Sequence, residues 1–226
     1  MRSTLFISMI AAFAMFFTSC KEKAVSAPDA IEEAAAAKGH NYIVDTEASV
    51  INWEGKKPTD SHKGIIKLSN GNVSVENGTI AAGNFEIDMN SIKVLGMDEE
   101  WGGKLESHLK GINGAEADDF FNVSKFPLGK FEIVSITPTS ENGATHLVKG
   151  NLELKGIAKE VTIPANINVT DGEVVVNSTP FTINRTDWGI VYKSKNVFKN
   201  IGDAFVDDNI YMELKVVAKA ATSLVQ

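Results

Sequence analysis

Ser49-Val50-Ile51-Asn52-Trp53-Glu54-Gly55-Lys56-Lys57 is the stretch that decides the fold class. Val50, Asn52 and Glu54 fall on one face of an extended chain, and Ile51, Trp53 and Gly55 on the other. A period of two marks a strand with one side toward a core. The pattern recurs outward from here. Tyr42-Ile43-Val44 precedes it. His62–Leu68, Asn72–Glu76 and Thr79–Asp88 follow, then Lys130–Thr137, His146–Leu154, Val161–Val169, Glu173–Ile183 and Ile210–Ala218. Asn70-Gly71 and Asn77-Gly78 read as hairpin turns, because both residue types tolerate positive φ. Asn142-Gly143 and Asp171-Gly172 mark two more turns, and Lys155-Gly156 a bend.

Strands in this number on short turns predict an all-β domain, either sandwich or barrel; spacing alone does not choose. Closing about eight strands leaves an interior that holds one small ligand. One segment departs from the pattern. Asp98–Lys110 sets Trp101, Leu105 and Leu109 at helical spacing, with acids at its start and Gly111 after its end. This predicts a short helix over one end of the sheet, weakened by Gly102-Gly103. Ala115–Phe121 adds a further turn before Pro127.

The N-terminus carries a different signal. Arg2 is followed by a nearly unbroken apolar run from Leu5 to Phe17, then by Thr18-Ser19-Cys20. The run is short for a membrane span and has the layout of a secretory leader. Cys20 is the one cysteine of the chain. Small residues before a thiol resemble a lipobox, with Phe17 where leucine is more usual. The expected boundaries are a leader over 1–19, a tether over 20–40 and a β domain over 41–220. Lipidation of Cys20 would leave no thiol for a disulfide, so packing alone must hold the domain. Within the tether, Asp29 is expected to cap a short helix ending at Gly39. Lys21 is not an inner-membrane retention residue, so the expected location is the outer membrane, facing the periplasm. A net charge of −7 argues against nucleic acid as a partner.

Several stretches together resemble one family. Tyr42–Asp45 with Ser49–Trp53, then His62-Lys63-Gly64, look like its opening. Gly83–Ile92 is similar to its most recognisable element. Leu105–Leu109 followed by Asp118-Asp119-Phe120-Phe121-Asn122-Val123 and Phe126-Pro127 resembles its next signature. Gly150–Ile157 and Asn184–Gly189 complete the order. The resemblance is to the YceI family and covers nearly all of Tyr42–Ala218. Lys110–Ala117 departs from it as an insertion, and Leu152-Glu153-Leu154 replaces a more usual Leu-Thr-Ile, which reads as a surface change. The resemblance implies an antiparallel lipocalin-like barrel with one or two short helices at its mouth. It implies a long apolar pocket for a polyisoprenoid or other amphipathic chain, and no catalysis.

A pocket of that kind needs apolar walls and a few polar groups for the head. The candidate lining is Trp53, Ile66, Phe85, Ile87, Phe120, Phe121, Phe131, Phe181 and Trp188. Each could equally be plain core. Arg185 is the polar candidate, either for an anionic head or for a structural pair with Asp187 or Asp88. Lys56 and His62 are rim donors or simply solvated. Asp88, with Ser91, is expected to tie down a strand end. The four histidines show no metal-ligand spacing, no nucleophile elbow is present, and Asp203, Asp207, Asp208 and Asn209 lack the order of a calcium loop. No cofactor is expected beyond a bound isoprenoid or fatty-acyl lipid. The leading reading is a tethered carrier or store. The alternative is an envelope protein, structural or stress-related, whose barrel is filled by side chains. A homodimer is compatible with either.

Overall fold

The computed structural model describes residues 31–221. The leader, Cys20 and most of the tether lie outside the described residues. The chain forms β1 (His40–Val44), β2 (Val50–Lys57), β3 (Asp60–Glu76), β4 (Thr79–Leu95), α1 (Glu99–Lys110), β5 (Leu128–Pro138), β6 (His146–Leu154), β7 (Ile157–Val169), β8 (Glu173–Ser178), β9 (Phe181–Asn184) and β10 (Asn209–Ala220). All pairings are antiparallel. β2 through β8 follow one another in the sheet, and β10 joins β8 to β2. The sheet is therefore closed.

Two slots are each filled by two short strands. β2 pairs with Ile210–Lys215 of β10 and β1 with Ala218–Ala220, both against β3 on their other side. β9 pairs with Asn209–Met212 and β8 with Lys215–Lys219. Ten strands thus make a barrel of eight staves, the closure that the family resemblance implied. At the break between β1 and β2, fully buried Ser49 donates to Val217 O (3.4 Å) and accepts from Val217 N (3.0 Å). A side chain takes over the pairing that the backbone leaves.

Three local expectations are corrected. Asn70-Gly71 is no hairpin. β3 runs straight through it, with a register shift against β4 between Leu68 and Asn70. Gly71 is there for space: a Cβ would sit 2.7 Å from Val44 Cγ2 and 3.0 Å from Phe85 Cδ1. Asn70 Oδ1 accepts from Gly71 N, a local bond suited to a bulge as well as to a turn. Asn77-Gly78 is the true turn, with φ of 52° and 76°. Second, Glu173–Ile183 is broken at Thr179-Pro180, where proline has no N–H for the ladder. Third, residues 31–38 form no helix. They lie along the barrel: Ala35 N donates to Ile133 O (2.9 Å), Asn151 Nδ2 to Glu32 O (2.7 Å), and Lys149 pairs with Glu32 (2.7 Å). Docking onto free sheet groups replaces the helical bonds that four alanines would have made.

The helix is where the spacing put it. Asp98 accepts from Trp101 N (3.0 Å) at its start, and Gly111, at φ 67°, closes its end. Glu106 accepts from Val94 N (2.9 Å) and meets Lys93 (3.1 Å), which fastens α1 to the end of β4. A 3-10 turn at Gly114–Glu116 follows, inside the sequence insertion.

Candidate ligand cavity

Along each strand, alternate residues point inward, and their sizes decide what the interior becomes. At one end they meet. Tyr42, Val75, Val174, Ala165 and Ala218 are buried there, and Tyr42 Oη donates to Thr170 O (2.9 Å) across the end. Further along, the inward side chains no longer touch across the axis. A cavity of about 330 Å³ opens above a floor that includes Val73, Val148, Val176 and Val216. That size lies within the range of small-molecule sites.

All the sequence-predicted residues line this cavity: Trp53, Ile66, Phe85, Ile87, Phe120, Phe121, Phe131, Phe181, Arg185 and Trp188. They come from five strands and two connections. Phe85 and Phe131 pack with ring centroids 6.1 Å apart. Trp188 is 1% exposed, and its Nε1 donates to Leu152 O (3.0 Å). Gly150 makes room beside them, since a Cβ would lie 2.4 Å from Phe131 Cζ. Leu152 and Leu154 also line the cavity, so only Glu153 of that triplet is the surface change the sequence suggested.

Arg185 lines the wall but is tied into the fold. Nε donates to Asp207 O (3.0 Å), Nη1 to Ile190 O (2.7 Å), and Nη2 to Val206 O (3.0 Å) and Asp208 Oδ1 (3.2 Å). Its ion-pair partner is therefore Asp208, not Asp187 or Asp88. Asp208 is held in turn by Ser194 Oγ (2.8 Å) and Asn196 Nδ2 (2.7 Å). Burial pulls the guanidinium below its ordinary pKa, while Asp208 and Asp207 oppose it. The pair pins the long connection between β9 and β10, which covers the cavity end. Asp88 does what its position suggested: it accepts from Asn90 N (2.9 Å), while Ser91 Oγ accepts from Lys67 N (2.7 Å).

The mouth was only half visible in the sequence. Leu105, His108 and Leu109 of α1 reach it, with Tyr192 and Lys193 from the β9–β10 connection and Lys56, Lys57 and His62 from the β2–β3 hairpin. His108 Nε2 lies 2.9 Å from Asp119 Oδ2 and stacks edge-on with Phe120 (5.0 Å) and Tyr192 (4.9 Å). No local motif links these residues; the β-barrel brings them together. Burial lowers the pKa of His62, helped by Lys57 and opposed by Asp60. Among the described residues no three His, Cys, Asp or Glu gather as a metal ion would need. The arrangement is a greased shaft with a polar rim, which suits binding of a chain-like molecule.

Comparison with known proteins agrees with this architecture. BcnA of Burkholderia cenocepacia superposes with a TM-score of 0.57 at 22% identity, over 77% of this chain and 99% of that one. A polyisoprenoid binding domain from Saccharophagus degradans, implicated in plant cell wall breakdown, gives 0.55 at 15% identity, over 81% and 100%. These likenesses concern the fold. No curated protein matches the chain. The YceI-like domain profile matches residues 42–218, from within β1 into β10, and the chain therefore belongs to the YceI-like family.

Proposed function

We propose that this protein binds a polyisoprenoid or another long-chain amphipathic lipid inside its barrel, as a carrier or store. The continuous apolar void between the two ends is the observation that carries this reading. Each CH₂ moved from water into such a void gains about 0.8 kcal/mol, so a long tail binds without strong polar contacts. The fold shared with a polyisoprenoid-binding domain supports the same reading. Apolar residues of this kind do no chemistry on a bound chain, so the role is binding rather than turnover.

The leader over 1–19, followed by Cys20, supports export and lipid anchoring, with the barrel in the periplasm and the anchor in the outer membrane. Radiolabelled palmitate should enter the full chain, and Cys20→Ala should abolish the label. The ligand reading is tested by native mass spectrometry of the full chain purified from its host, followed by organic extraction. A released lipid of isoprenoid or fatty-acyl mass is expected. An empty protein that also refuses added isoprenoids and fatty acids would sink it.

A further inference from the structure

The cavity is lined by Lys56, Lys57, His62, His108, Arg185 and Lys193, and by no aspartate or glutamate. That is the reverse of the whole chain, which holds 29 acids against 22 Lys and Arg. Three of these bases already have a charged neighbour. Arg185 is tied to Asp208, His108 meets Asp119, and His62 lies 3.8 Å from Asp60. Among the described residues Lys56, Lys57 and Lys193 have no carboxylate within ion-pair distance.

The fold sets the backbones of Lys56-Lys57 and Lys193 side by side although they are far apart in sequence. Asp207 N donates to Lys56 O (2.8 Å), and Val206 N donates to Lys193 O (2.9 Å). Two consecutive residues of one segment thus hold the two lysine backbones. Lys57 is the next residue along β2. Lys57 shares the inward face of β2 with Trp53 and Gly55, whereas Lys56 Nζ stands 3.6 Å over the ring of outward-facing Tyr211; Lys193 Nζ lies 5.2 Å from the Tyr192 ring at the mouth. Acids around the mouth have partners of their own: Asp60 faces His62, Asp207 Oδ1 accepts from Asn209 N (3.0 Å), and Asp118 and Asp119, which share a neighbouring pocket with Lys193, bond Asn122 Nδ2 and His108.

We infer that the cavity selects amphiphiles with an anionic head, a carboxylate or a phosphate, held by Lys57 and Lys193 while the tail runs down to the Val73 layer. This rests on the lipid-binding reading above and deepens it. An ammonium beside low-dielectric walls attracts an anion more strongly than it would in bulk water. A neutral alcohol head would leave that attraction unused.

The test uses the delipidated full chain and displacement of an apolar fluorescent probe. Farnesyl phosphate is compared with farnesol, and palmitate with hexadecanol. At low salt the anion of at least one pair should bind about tenfold tighter or more than its alcohol, and the gap should shrink in 0.5 M salt through screening. Whichever pair shows the gap names the head group. The double variant K57Q/K193Q should bring that anion down to the affinity of its alcohol and leave alcohol binding unchanged, which also reports an intact fold. Equal binding of anion and alcohol in both pairs would overturn the inference and keep the lipid reading. Equal loss of both ligands in the variant would also overturn it. No binding by any of the four would remove the lipid reading, and this inference with it.

Discussion

The two ends of the barrel are built from the same strands and do opposite things. At the closed end the connections are short, and Tyr42 Oη is bonded across to Thr170 O, with small and branched residues packed beneath. At the open end the connections are long: residues 96–127 and 185–208 bring α1 and four 3-10 residues beginning at Arg185. Leu95, Met97, Trp101, Ile112, Leu128, Ile157, Val197 and Phe198 remain exposed there, against Ile43 toward the other end and Ile31 in the segment before β1. Alternation writes both ends alike. The difference lies in which inward side chains reach one another across the axis.

The largest test compares truncations. Tyr42→Ala, at 4% exposure in the closed end, should cost about 3–5 kcal/mol in denaturant unfolding. Phe181→Ala, on the cavity wall, should cost less than half as much, because one of its sides already faces a void. Equal costs would mean that the shaft is not hollow. Arg185→Ala tests the rim's own support. It leaves Asp208 buried and unpaired, and should cost about 3–5 kcal/mol whether or not lipid is present.

A homologous series of alcohols measures the depth of the shaft. Affinity should rise about fourfold per CH₂, following about 0.8 kcal/mol each, and level off when the tail meets the Val73 layer. Leu152→Trp should fill the upper shaft and weaken every long ligand by about tenfold or more, with stability kept within about 1 kcal/mol. Unchanged ligand affinity in that variant would place the chain elsewhere.

The smallest effect concerns the fastening of α1 at the open end. Burial alone would raise the Glu106 pKa, but the Val94 amide and Lys93 outweigh it, and the net shift is below the ordinary 4.5. A lowered folded-state pKa stabilises above the unfolded value and is lost as pH falls through the folded one. Wild type should therefore lose more stability than Glu106→Gln between pH 6 and pH 3.5, read from unfolding midpoints. Identical losses would show that Glu106 does not hold the helix.

Much of this was legible locally. The strands were readable because each hides one face, so a period of two survives in residues such as Ile51, Trp53 and Gly55. The helix was readable from Asp98, Leu105, Leu109 and Gly111, since caps and spacing act within a few residues. Asn70-Gly71 misled because the pair that allows a turn also allows a bulge; Val44 and Phe85, distant in sequence, impose the bulge. Arg185 stood out as a lone base beside Trp188, but its partner Asp208 lies 23 positions away across a connection with no periodicity.

The sequence by itself determined the all-β class, the helix and the apolar and aromatic set of the wall, because these follow from short-range pattern and from side-chain polarity. Only the tertiary structure decided that the staves close, that one end is packed and the other hollow, and that Lys57 and Lys193 share a rim. Closure depends on β10 pairing with β2 and β8 at once. A void depends on distances across an axis, and no window along the chain contains them.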